Sequence, residues 1–190
     1  HFPSEVTVGD PMAGVNASIR FTTSDTKVNG GEDNVGVLPD GSVWTQVGTA
    51  TLKSVDDGKT WKNVAPQSTG TATFDPMLFV DSERNTVYVD QLYIGCSVIA
   101  WSSNGGSSWT SNPAACGAPG DDHQKVGVGA SNVPLSPFPI VYYSYSSFAK
   151  GVFVSRSLDG GVSWTTTPVV GVTDTRHYAN DGPGTRDDKG

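Results

Sequence analysis

The chain has 190 residues, 23 of them Gly and 12 Pro, and only 16% are charged. That balance excludes a helical bundle and points to an all-β protein with many turns. The formal net charge of −7, from 19 acidic and 12 basic residues, argues against a nucleic-acid backbone or an anionic membrane surface as partner, and no apolar stretch approaches the roughly 18 residues that a membrane span needs.

Residues 1–32 carry one strand-like run, Ile19-Arg20-Phe21-Thr22-Thr23, which reads as an outer strand of a preceding unit. A unit then repeats three times. Each copy opens with an Asp before a short apolar strand: Glu32-Asp33-Asn34-Val35-Gly36-Val37, Asp75-Pro76-Met77-Leu78-Phe79-Val80, and Asp121-Asp122-His123-Gln124-Lys125-Val126-Gly127-Val128. Short apolar runs of this kind suit strands covered on both faces. Second strands are predicted over 42–47, 86–93 and 139–145, and third strands over 50–53, 97–101 and 152–156, from their β-branched and aromatic content. No segment keeps a 3.6-residue period, so little or no helix is predicted.

Each third strand runs into the same frame, Ser-x-Asp/Asn-x-Gly-x-x-Trp: Ser54, Asp56, Gly58 and Trp61; Ser102, Asn104, Gly106 and Trp109; Ser157, Asp159, Gly161 and Trp164. The physical reading is a hairpin turn. The Asp or Asn oxygen is expected to accept backbone N–H groups two residues on. Gly supplies a positive φ without steric cost, Ser adds a local hydrogen bond, and Trp starts a fourth strand and anchors it. The unit lengthens between its opening Asp and its Ser, so insertions are expected in the loops joining the first three strands, chiefly Asn132 to Phe138 and Ser146 to Gly151.

Three in-phase copies of this frame resemble the Asp box, or BNR repeat, of the sialidase-like β-propellers. The resemblance covers about residues 33 to 181 and implies four-stranded antiparallel blades. The expected layout is an N-terminal segment over 1–32, blades over 33–74, 75–121 and 122–180, and a tail or further opening over 181–190. Three blades fall short of the four to eight that close a ring, so the chain is expected to be part of a larger propeller, with an arc completed by a neighbour or a four-bladed ring as alternatives.

Sialidases of this family use an arginine cluster and a Tyr–Glu pair. The arginines here, Arg20, Arg84, Arg156, Arg176 and Arg186, form no recognisable cluster, and Glu5, Glu32 and Glu83 lack the Tyr context, so no catalytic residue is assigned. The candidate ligand-binding residues are Asp33, Asp75, Asp122 and His123 at the strand openings, with Tyr143, Arg176 and Tyr178. The opening carboxylates, together with Asp181, are expected near one end of the propeller axis. Asp121 and Asp122 are Ca²⁺ candidates, since Ca²⁺ favours oxygen-rich clusters; loop capping is the plainer role for each Asp. No cofactor is required.

Cys96 and Cys116 form no Cys-x-x-Cys pair, which leaves zinc and thioredoxin-like chemistry without support. They flank one hairpin, so a disulfide is geometrically reasonable and would imply an oxidising compartment; two separate buried thiols are the alternative. Asn16-Ala17-Ser18 fits a glycosylation acceptor. The expectation is a secreted or cell-surface module, non-catalytic, that binds glycan or an extracellular protein or serves as scaffold. The alternatives are a sialidase-type glycoside hydrolase with catalytic residues largely outside this chain, and a self-assembling subunit.

Overall fold

The computed structural model describes residues 5–9, 18–30, 33–67, 76–93, 96–116, 121–134, 136–147 and 151–169. The protein is all-β. A two-stranded antiparallel sheet joins β1 (Glu5–Gly9) to β2 (Ser18–Thr22). Three four-stranded antiparallel sheets follow, each a meander in sequence order. The first holds β3 (Asn34–Val37), β4 (Val43–Val47), β5 (Ala50–Ser54) and β6 (Lys62–Asn63). The second holds β7 (Met77–Asp81), β8 (Thr86–Tyr93), β9 (Cys96–Ser102) and β10 (Thr110–Cys116). The third holds β11 (Asp121–Gly129), β12 (Ile140–Ser147), β13 (Gly151–Ser157) and β14 (Thr165–Pro168). Among the described residues no helix is long and apolar enough to cross a membrane.

The ladders put the three sheets on a common register. Ser54, Ser102 and Ser157 pair with Val43, Val87 and Val141. Counting from these pairs, Trp44 is equivalent to Tyr88 and Tyr142, Lys53 to Trp101 and Arg156, and Asn34 to Met77 and Lys125.

The second sheet lies between the other two, and side-chain alternation along its strands supplies both cores. One face sends Leu78, Val87, Val89 and Ala100 against Leu38 and Trp44 of the first sheet. The other sends Met77, Tyr88 and Ile99 against Val126, Val128, Val141, Tyr143 and Tyr145 of the third. The first strands touch each other at the inner edge of the stack, where Asn34 Oδ1 accepts from the Leu78 N–H at 3.3 Å. Gly36 is required by this approach: a Cβ there would lie 2.4 Å from Val80 Cγ2.

Two expectations need correction. The fourth strands begin one residue after each Trp, at Lys62, Thr110 and Thr165. Ser146, Ser147 and Gly151 are not loop residues; Ser146 and Ser147 end β12 and Gly151 opens β13. Part of the lengthening is therefore extended hairpin, in which the extra residues gain cross-strand partners and complete their backbone hydrogen bonds. The run Asn132 to Phe138 does lie in the connection between β11 and β12.

Candidate functional site

The three repeat turns share one hydrogen-bond plan, and its hub is the serine. In the first copy Ser54 Oγ donates to Asp56 Oδ1 at 2.8 Å and accepts from the N–H groups of Asp56 and Gly58. Asp56 accepts from the backbone N–H and the hydroxyl of Thr60, four residues on rather than two. Asp159 repeats this with Ser157 and Ser163. In the middle copy Asn104 accepts from Ser102 Oγ and Ser108 N–H, and its own amide donates to Ser108 Oγ at 2.7 Å. The reach to position four follows from two successive left-handed residues. Gly58, Gly106 and Gly161 have φ of 79°, 84° and 109°, and the residues before them, Asp57, Gly105 and Gly160, have 59°, 71° and 73°.

These bonds set the charge of the turns. The Thr60 hydroxyl and N–H, with the Ser54 hydroxyl, hold the Asp56 carboxyl down at about 2. Burial pushes Asp159 up, but the Ser163 hydroxyl and N–H, aided by Ser157 and the Val162 N–H, outweigh it and hold it at about 2.

Each turn also seats on the sheet before it. A Cβ at Gly106 would lie 3.0 Å from Val64 and 3.2 Å from Trp44 of the first sheet; one at Gly161 would lie 3.1 Å from Trp101 of the second. Trp109 Nε1 donates to the Val64 carbonyl at 2.8 Å. Lys53 Nζ reaches the Gly105 carbonyl at 3.4 Å, and Asn112 Nδ2 donates to the carbonyls of Gly161 and Val162. The first turn meets the segment after β2, where Ser24 Oγ donates to the Gly58 carbonyl.

Among the ligand candidates, Asp33 is exposed just before β3. The backbones of Asp121, Asp122 and His123 open β11, but their side chains lie outside the described residues, as do Asp75, Arg176, Tyr178 and Asp181 entirely. Among the described residues no group of three or more His, Cys, Asp or Glu side chains is placed to hold a metal ion.

Tyr143 needs correction as a ligand residue. It is fully buried, because its face of β12 is the one packed on the second sheet. Its hydroxyl donates to Asp90 Oδ2 at 2.8 Å, and the Asp90 carbonyl accepts from Gln46 Nε2 at 2.9 Å. One buried polar chain thus joins all three sheets through their second strands. Sequence reasoning missed Asp90; the signal was a lone carboxylate directly after the apolar run Val87-Tyr88-Val89 in one strand, where an unpaired charge would be costly.

The three first strands line a half-open groove of about 490 Å³. Asn34, Met77 and Lys125, the equivalent residues of the three sheets, all border it, with Val35, Val37 and Ser82. Lys125 is a further residue that sequence reasoning passed over, although it stands within the third opening segment. The groove offers one cation, one amide and one hydroxyl against apolar walls.

No protein-family model and no curated protein matches the chain. Solved structures similar to it include a single-residue variant of the NanB sialidase from Streptococcus pneumoniae, at 14% identity and a TM-score of 0.47, covering 70% of this chain and 20% of that one. The same sialidase in complex with 2-[(3-chlorobenzyl)ammonio]ethanesulfonate is similar at 14% identity and a TM-score of 0.46, with the same coverage. The chain thus spans about a fifth of the length of these sialidases.

Proposed function

We propose that this chain is an arc of a sialidase-like Asp-box β-propeller, secreted or at the cell surface, that binds glycan or an extracellular protein without catalysis. The observation that carries this reading is the groove along the first strands. Hydrogen-bonding groups at Asn34, Ser82 and Lys125 stand among apolar walls, the mixture that suits a sugar ring with polar edges and an apolar face. A sialidase-type hydrolase needs an arginine cluster and a Tyr–Glu pair, an exception to the usual carboxylate pair, and the described lining residues supply neither. The test is a glycan array probed with the purified chain, run beside a fluorogenic sialoside. Binding without turnover, weakened by Lys125→Ala, is expected. Turnover that survives purification would favour the hydrolase instead.

A second reading rests on a separate observation. Val35 and Val37 are 72% and 56% exposed, whereas the equivalent Leu78, Val126 and Val128 are buried against a preceding sheet. Among the described residues no preceding sheet covers Val35 and Val37, the pattern expected of an assembly completed by another chain. Solution scattering should show a stable oligomer; a monomer at all concentrations overturns this reading. An oxidising compartment is part of the proposal as well. The ladder sets Cys96 directly opposite Cys116, close enough in backbone terms for a disulfide, and intact mass before and after reduction and alkylation tests it.

A further inference from the structure

The sequence contains two Asn–Gly pairs, Asn29–Gly30 and Asn104–Gly105. In such a pair the peptide nitrogen of the Gly can attack the Asn side-chain amide, because no Cβ on the Gly hinders the five-membered ring that forms. The two pairs stand in different surroundings. Asn29 lies in an exposed stretch without regular structure, and Gly30 packs against the Val47 side chain. Asn104 occupies the acidic position of the middle repeat turn, where its equivalents Asp56 and Asp159 are carboxylates.

The turn favours this chemistry in three ways. First, Asn104 Oδ1 accepts from Ser102 Oγ at 2.9 Å and from the Ser108 N–H at 3.0 Å. Two donors on one carbonyl oxygen draw electrons from Cγ and stabilise the negative charge that the oxygen takes on when a nucleophile adds. Second, the turn uses the N–H groups of Asn104, Gly106 and Ser108 and passes over that of Gly105. The other copies pass over the same position, using the N–H groups of Asp56, Gly58 and Thr60, and of Asp159, Gly161 and Ser163. Asn104 is also exposed, so water reaches it. Third, the turn suits a carboxylate. Thr60 and Ser163 hydroxyls donate to Asp56 and Asp159 at 2.6 Å, whereas Ser108 Oγ accepts from Asn104 Nδ2 at 2.7 Å. Replacing the amide by a carboxylate reverses that bond and makes it charge-assisted.

We propose that Asn104–Gly105 is a self-deamidating site, at which the middle turn converts its own Asn to Asp. The Gly105 nitrogen loses its proton to solvent and bonds to Asn104 Cγ. The Cγ–Nδ2 bond breaks, and Nδ2 leaves as ammonia with a proton taken from solvent. Water then adds at Cγ of the cyclic imide, the bond from Cγ to the Gly105 nitrogen breaks, and that nitrogen regains a proton. The net change is amide plus water to carboxylate plus ammonium. Ser102 Oγ and the Ser108 N–H hold the same oxygen through both steps, so water is directed to Cγ rather than to the backbone carbonyl, and the product is Asp rather than isoaspartate. The product gives the middle turn the carboxylate of the other two. It places a negative charge one residue before the carbonyl that Lys53 Nζ reaches at 3.4 Å.

The test ages the whole purified chain in mildly alkaline buffer made with heavy-oxygen water, with and without urea. Peptide mapping by mass spectrometry reads conversion at residues 104 and 29, and isoaspartyl methyltransferase labelling counts isoaspartate. In the folded chain residue 104 should take up heavy oxygen and give Asp in several-fold excess over isoaspartate. In urea that excess should reverse, as at residue 29 under both conditions. Ser102→Ala should slow conversion of the folded chain roughly fivefold, the rate equivalent of one neutral hydrogen bond, and Asn104→Gln should abolish the new acidic form seen on isoelectric focusing. A folded chain that keeps Asn104 while residue 29 converts overturns the proposal, as does an excess of isoaspartate at residue 104. Faster conversion in Ser102→Ala also overturns it, because the turn would then restrain the reaction rather than promote it.

Discussion

The two junctions between sheets carry the same turn frame in the same register, yet an indole fills one and a lysine stands at the other. Between the second and third sheets the core is rich in aromatic rings, with Tyr88 from one side and Tyr143 and Tyr145 from the other. Within each sheet the rings pair: Tyr88 stacks on Trp101 at 6.5 Å in the second, and in the third Tyr145 stacks on Phe153 at 5.5 Å and Trp164 meets Tyr143 edge-on. Asn112 and the Tyr143–Asp90 bond tie the layers together. Between the first and second sheets a buried Trp44 faces the aliphatic Leu78, Val87, Val89 and Ala100, and Lys53 bridges to the turn with a long bond. The frame decides where a turn lands on the preceding sheet. The residue at position 53, 101 or 156 decides whether the landing is filled, because only a ring has the area to close it.

The largest test of this contrast removes the ring from each side. Trp44→Ala should cost about 4 kcal/mol, since the side chain is fully enclosed and its loss leaves a cavity. Trp101→Ala should cost less, about 2 to 3 kcal/mol, because part of its indole already meets solvent. Urea unfolding of both variants measures the difference; equal losses would break the comparison.

Next in size is Tyr143→Phe, which keeps the ring and removes one donor from the buried Asp90 carboxylate. A loss of about 2 kcal/mol is expected. A change below about 0.5 kcal/mol would show that the polar chain does not hold the third sheet to the second.

The turns themselves supply smaller effects. Ser102→Ala and Ser157→Ala each remove the hydroxyl that accepts two N–H groups and donates to the Asn or Asp. Each should cost about 1 kcal/mol, with Ser157 the more sensitive because its acceptor is ionised.

Acid should separate the copies by charge. Asp56 and Asp159 sit at about 2 in the folded chain against an ordinary 3.8. As pH falls below about 4 the unfolded chain takes up protons first, so it binds more protons than the folded one and stability declines. The contribution is fully present above that range and lost by about pH 2. Asn104 cannot titrate. Asn104→Asp should therefore leave the unfolding midpoint near neutral pH almost unchanged and steepen its fall between pH 4 and 2; an unaltered acid slope would show that the middle turn does not hold its carboxylate as the others do.

Much of the architecture was legible because it is local. The repeated frame, the strand runs before it and the absence of a helical period all follow from interactions within a few residues. The candidate site was much less legible. Tyr143 reads as an exposed aromatic in a run of tyrosines, and which side of β12 it occupies depends on which sheet covers that face. Asp90 and Gln46 are far apart in the chain and become partners only when two sheets stack. The second left-handed position in each turn was also hidden, because Asp57 occupies in the first copy what Gly105 and Gly160 occupy in the others.

The sequence by itself determined where the chain turns, because Ser, Asp or Asn, and Gly bond and bend over five residues regardless of what surrounds them. It determined the order of strands for the same reason, since short turns force neighbours to pair antiparallel. Only the tertiary structure decided which residues face each other across the layers. That choice sets Trp101 against Gly161 and Lys53 against Gly105, and buries Tyr143, because burial is a property of two sheets in contact rather than of either strand alone.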